Sequence, residues 1–172
     1  MTELERTTSE NPFKFLETGP LAEEELSLEL VERLTEDPYH GLVPCYKFDM
    51  VHREKRTKMG NISLRIGNSD LLVRNSGQIG YDVLFGYRGN RYAARSCRLL
   101  LPLAHMHGLN PLWITCDPDN IASRKSCVIA GAKYVDTIRH RTSDSTNLSG
   151  FFEKCRYRID LHLLLSCKQT SS

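Results

Sequence analysis

The chain has 172 residues and a formal net charge of +2, with 40% apolar and 26% charged residues. That length suits one domain with a real core, and the ordinary composition argues against bulk disorder, a collagen or a coiled coil. The nearly balanced charge argues against a nucleic-acid binder, since the densest basic run (Arg53, Lys55, Arg56, Lys58) reads as a solvated hairpin tip.

Residues 1–12 are polar without a period and read as a loose tail, leaving 13–172 as a single domain. Residues 13–24 form an extended lead-in that turns at Gly19-Pro20. In 25–34, Leu26, Leu28 and Leu30 alternate as in a strand, whereas Leu26, Leu30, Val31 and Leu34 also fit one helix face; the strand is preferred. Residues 43–52 alternate Tyr46, Phe48 and Met50 with Lys47, Asp49 and Val51. Residues 60–67 do the same with Ile62, Leu64 and Ile66, so a charged loop at 53–58 joins two strands of an antiparallel hairpin. A connector at 70–77 leads to a strand at 78–85, a turn at 86–90 and a helix over 91–107. Ala93, Cys97, Leu100, Leu101 and Ala104 share one face of that helix, Pro102 is expected to kink it and Gly108 ends it. A short strand at 111–116, a turn at 117–119, a helix over 120–130 and a strand at 133–140 follow. A polar loop at 141–152 and a last strand at 155–161 complete the chain. The order predicts an α/β (α+β) fold: a mixed, mostly antiparallel twisted sheet of about seven strands with helices on its faces.

The six cysteines include no CxxC pair and no Cys/His cluster with zinc spacing, so no metal is expected and free thiols in a reducing cytoplasm are the simplest reading. No leader is visible, and no apolar run approaches the ~20 residues that span a bilayer, so no membrane partner is expected. Exposed terminal strands allow a homodimer.

Chemistry concentrates in the turn Tyr87-Arg88-Gly89-Asn90-Arg91-Tyr92-Ala93, between a strand and a long helix. A helix N-terminus offers unpaired N–H groups and the positive end of a dipole, Gly89 lets the backbone approach a ligand, and Arg88 and Arg91 add charge. A pyrophosphate suits such a site. The chain has neither GxxxxGK[ST] nor GxGxxG, so the turn is not a P-loop or a dinucleotide fingerprint. Taken alone, it is an anion site or a plain strand–helix turn with exposed arginines.

From about Lys58 to His140 the chain resembles the GNAT superfamily of N-acetyltransferases. Arg88, Gly89, Asn90, Arg91, Tyr92 and Ala93 match its [QR]-x-x-G-x-[GA] signature, with Arg91 where the central glycine is expected. Asn120 to Ser123 looks like the family's N-x-x-[AS] helix start, and Ala132 replaces the Phe of its Gly-Phe ending. Gly60–Arg65, Trp113–Asp117 and Lys154–Arg158 are similar to stretches of a bacterial subgroup of predicted acetyltransferases.

The resemblance implies a GNAT-like fold with its first helical pair reduced or missing, since only Thr35–Leu42 lies between the first two strands. It implies acetyl-CoA as cosubstrate, with an amine of a small molecule or a protein as acceptor. The pyrophosphate would lie on Arg88–Ala93, and the pantetheine arm on the backbone of Val83, Leu84 and Phe85 with Asn120 and Ser123 beside it. The family's catalytic residues transfer poorly. Gln78 stands where the base glutamate usually is, so Asp82 is the next candidate, with His40 behind it. Cys127 stands where a tyrosine usually protonates the thiolate. Gln78, Tyr81, Trp113 and Thr115 are candidates for the acceptor pocket. The implied activity is direct amine attack on the thioester in a ternary complex; the alternative is a coenzyme A-binding sensor or interaction domain with little catalysis. The short first connection implies an open acceptor site, or one completed by a partner subunit.

Overall fold

The computed structural model describes residues 13–142 and 149–162. The N-terminal tail, the middle of the predicted polar loop and Cys167 lie outside these residues. The elements run β1 (Leu21–Glu23), β2 (Leu26–Asp37), β3 (Val43–His52), β4 (Thr57–Arg65), β5 (Ile79–Val83), α1 (Tyr92–Met106), β6 (Leu112–Cys116), α2 (Ile121–Ile129), β7 (Lys133–Arg141) and β8 (Phe151–Ile159). One sheet holds all the strands in the order β1-β2-β3-β4-β5-β6-β8-β7. Every neighbouring pair is antiparallel except β5–β6.

Alternation builds the core. Leu26 and Leu28, then Tyr46, Phe48 and Met50, then Ile62 and Leu64 turn inward and are buried together with Ala94, Cys97, Leu100, Leu101 and Ala104 of α1. Each such Leu or Phe contributes roughly 1.5–3 kcal/mol on leaving water. The segment 25–34 is a strand because Leu26 and Leu28 both face the core, while a register shift after Leu30 leaves Val31 exposed. Both crossovers, β5–α1–β6 and β6–α2–β7, carry their helices over the same face, and Cys127 of α2 joins the same cluster. The opposite face is dressed with ion pairs instead, among them Lys58–Asp49 at 2.6 Å and Lys47–Glu32 at 3.1 Å. Only residues 38–42 separate β2 from β3, so no helical pair stands there.

Five boundaries differ from the sequence reading, the first being that of β2, which runs on to Asp37. Strand β1 is an eighth strand, three residues long inside the predicted lead-in and paired to Leu26–Leu28. Strand β4 begins at Thr57, which shortens the hairpin loop. Strand β5 stops at Val83: the Leu84 N–H still donates to the Met59 carbonyl, but the Leu84 carbonyl accepts from the Tyr87 N–H and the chain enters a 3-10 turn at Phe85–Tyr87. Strand β8 begins at Phe151, drawn into pairing by Arg141 of β7, and ends at Ile159. Helix α1 continues through Pro102 to Met106.

Candidate active site

Strands β5 and β6 run parallel but pair at a single register position, Ile79 with Ile114, and then part. Since Leu84 donates to β4, the pleat turns the N–H and C=O groups of Tyr81 and Val83 towards the gap. Gln78 fills the vertex. Its Nε2 donates to the Gly67 carbonyl (2.6 Å) and Asn68 Oδ1 (2.8 Å), and its Oε1 accepts from the Trp113 N–H (2.7 Å). The side chain is fully enclosed, so the expectation that Gln78 lines an acceptor pocket gives way to a clamp between the two strands.

Helix α1 starts beside the open end of the fork. Gly89 has φ +86°, a conformation that glycine adopts without strain, and Arg91 takes φ +61° where the family signature has glycine. No side chain caps the helix, so its first-turn N–H groups are left for an anion. The Arg88 guanidinium donates from Nε to the Val83 carbonyl at 2.8 Å, and its Nη2 lies 3.7 Å from Asp82 Oδ1. Asn90 turns its amide back onto the carbonyls of Tyr87 (3.1 Å) and Arg88 (3.3 Å), bracing the turn from within. Arg95, one turn further on, reaches Glu23, Glu24 and Glu25 in the β1–β2 turn and ties the helix to the sheet edge.

Helix α2 faces this turn across the gap. Asn120 caps it, its Oδ1 accepting from the Ser123 N–H at 3.0 Å. The Tyr81 hydroxyl crosses from β5 to lie 2.8 Å from Ser123 Oγ and 3.8 Å from Cys127 Sγ. Burial raises the Tyr81 phenol above its ordinary pKa, so it stays protonated.

Between the two helix starts lies a cavity of about 240 Å³. It brings together Tyr81, Asp82, Val83, Arg88, Gly89, Arg91, Tyr92, Ala93, Asn120 and Ser123, all singled out in the sequence. Tyr87 and Ala122, which stood in the two motifs without a role of their own, also line it, as does Ser126, which was missed. The spacing of the small residues Ala122, Ser123 and Ser126 along one side of a helix was the available signal.

Other candidates stand elsewhere. Leu84 and Phe85 lie past the end of β5, and Phe85 is 86% exposed, so Val83 is the last strand residue facing the gap. Trp113 and Thr115 point to the face opposite the helices, Trp113 under the Arg156 guanidinium and Thr115 donating to the Asn75 carbonyl. Cys127 is fully buried beneath Tyr81. The neighbouring Cys116 thiol and burial together raise its thiol above the ordinary range. A thiol so placed does not reach the cavity, which removes the expected proton donor from it.

His40 is committed to a network that no local pattern shows. Its Nδ1 is 2.8 Å from Asp37 Oδ2, and its Nε2 is 3.2 Å from Nη2 of Arg65. An arginine only donates, so Nε2 accepts and Nδ1–H donates to Asp37. The lone pair that a base would use is therefore occupied. Burial alone would raise the Asp37 carboxyl, but the Tyr39 N–H, His40 and Arg65 override it and hold it below the usual carboxylate range. Among the described residues no three His, Cys, Asp or Glu side chains form a metal-binding group, and no helix is long and apolar enough to cross a membrane.

No family model matches the chain, and no curated protein matches its sequence. Solved structures do match. An acetyltransferase of the GNAT family from Bacillus anthracis superposes with a TM-score of 0.52 at 15% identity, over 67% of this chain and 66% of that one. The microcin C7 self-immunity acetyltransferase MccE, in complex with acetyl-CoA and AMP, gives 0.52 at 14% identity over 67% and 61%. A ribosomal-protein-S5-alanine acetyltransferase from Vibrio fischeri also gives 0.52 at 14% identity, over 67% and 61%. The chain spans under two thirds of each of these structures. At such identities the likeness is one of fold.

Proposed function

We propose that this chain, which has the fold of the GNAT acetyltransferases, moves an acetyl group from acetyl-CoA to an amine by direct attack in a ternary complex. The observation that carries this reading is the cavity itself: an uncapped helix start, a cationic turn and an unpaired strand edge converge on one fork. An acetyl thioester supplies an activated carbonyl that a neutral amine can attack, and MccE shows that a protein of this fold holds acetyl-CoA.

The residues divide the work. The first-turn N–H groups of α1, with Gly89 and Arg88, receive the pyrophosphate. The Val83 N–H, turned into the gap, takes the pantetheine arm as an added strand, with Asn120 and Ser123 along its other side. Positioning of the thioester against the acceptor supplies most of the rate gain. The amine proton leaves towards solvent or Asp82, a cavity-lining residue whose side chain is 63% exposed. The acceptor approaches from the uncovered face of the sheet, where no helical pair stands.

Direct titration with acetyl-CoA and with ATP, followed by thiol release across a panel of amines, tests the reading. Acetyl-CoA binding with thiol release is expected. Affinity for ATP without affinity for acetyl-CoA would overturn it, and tight acetyl-CoA binding without turnover on any amine would reduce the protein to a coenzyme A binder.

A further inference from the structure

Tyr81 closes the inner end of the cavity. Its ring leaves β5 on the helix side, and its hydroxyl meets Ser123 at Oγ (2.8 Å) and at the carbonyl (3.3 Å), with Cys127 Sγ 3.8 Å away. Strand β5 and helix α2 therefore touch across the fork two residues outward from the Ile79–Ile114 pair. The space behind is filled, since Ile79, Ile114, Cys97 and Cys127 are all buried. An arm anchored at the start of α1 and on Val83 runs inward along β5, so its thioester end arrives at Tyr81. This step rests on the coenzyme reading above.

We propose that Tyr81 sets the acyl-chain length, its ring and its bond to Ser123 closing the cleft behind an acetyl group and shutting out longer acyl chains. Two features make the wall firm. The phenol is held at its tip by Ser123, itself placed by the Asn120 cap, so the ring cannot swing aside without breaking a hydrogen bond. The packed residues behind it leave no room to yield, and forcing extra methylenes into such a site is unfavourable. A single methylene in a tight pocket changes discrimination by about 10–200-fold.

Titration of the full chain with acetyl-, butyryl- and hexanoyl-CoA tests this without knowledge of the acceptor. For the wild type, the dissociation constant is expected to rise by at least about tenfold from acetyl- to hexanoyl-CoA. Tyr81→Ala should reduce that step to roughly twofold or less, as should Tyr81→Leu, which keeps apolar packing should the alanine variant fail to fold. Tyr81→Phe, which keeps the ring, should preserve most of the step. A wild type indifferent to chain length, or an undiminished step in both the Ala and Leu variants, would overturn the role of Tyr81 while acetyl-CoA binding stands. A wild type that binds none of the three would instead overturn the coenzyme reading.

Discussion

The Arg88 guanidinium ties the turn before α1 to the last residue of β5, donating from Nε to the Val83 carbonyl at 2.8 Å. Nε is thus held, Nη2 stands 3.7 Å from Asp82 Oδ1, and Arg88 lines the cavity. Arg88→Ala is expected to weaken acetyl-CoA binding by roughly 1–3 kcal/mol through loss of a charge-assisted bond. Arg88→Lys should recover only part of this, because one ammonium cannot hold Val83 and a phosphate in the same planar geometry. Calorimetric titration checks both, and unchanged affinity in the alanine variant would remove Arg88 from the site.

Acid should loosen α1 from the sheet edge. The Arg95 hydrogen bond, 2.7 Å from Nη1 to Oε1, is the main cause that holds the Glu25 carboxyl at about 2. A depressed carboxylate stabilises fully above its unfolded value of 4.5, and the contribution is lost as pH falls from there through about 2. Glu25→Gln should therefore cost about 1 kcal/mol at neutral pH, allowing for solvent screening, and flatten the acid limb of a denaturation series. A variant with the wild-type acid profile would show that Glu25 is not the group responsible.

Arg91 holds a left-handed backbone, φ +61°, that side chains with a β-carbon adopt at a cost. Arg91→Gly should match or exceed wild-type stability, by up to about 1 kcal/mol, whereas Arg91→Val should lose about 1 kcal/mol or more. Thermal melts of the two variants decide the matter. If valine is tolerated as well as glycine, the strain is not there.

Gly60 lies under β5 so closely that a β-carbon would stand 2.3 Å from the Asp82 carbonyl oxygen and 3.0 Å from the Val83 α-carbon. Both are backbone atoms of the strand that edges the cavity, so neither can step aside cheaply. Gly60→Ala is expected to destabilise the fold by at least about 2 kcal/mol and to weaken acetyl-CoA binding with it. Wild-type stability in urea would contradict this.

Much of the fold was legible because its signal is local. Ile62 and Leu64 alternate with polar neighbours, and they are core; Cys97, Leu100 and Ala104 repeat at helical spacing, and they are core as well. Strand β1 was not legible, because three residues carry no period and its pairing with Leu26–Leu28 sets its limits. The end of β5 was missed because Leu84 and Phe85 continue the apolar run, whereas the Leu84 carbonyl accepts from the Tyr87 N–H and turns the chain out of the sheet. In the site, the turn at Arg88–Ala93 and the Asn120 helix start were readable as motifs. Gln78 was misread because its partners, Gly67, Asn68 and Trp113, come from distant segments. The same holds for His40, whose commitment to Asp37 and Arg65 spans a loop and two strands.

The sheet consists of two antiparallel blades, β1–β5 and β7, β8 with β6, joined along one edge by the Ile79–Ile114 pair and by the amide of Gln78. That amide carries no charge, so the joint neither titrates nor weakens with salt. The ion pairs that dress the outer face and anchor α1 respond to both. The angle between the blades, and with it the width of the opening, is set by the part of the structure least sensitive to the medium.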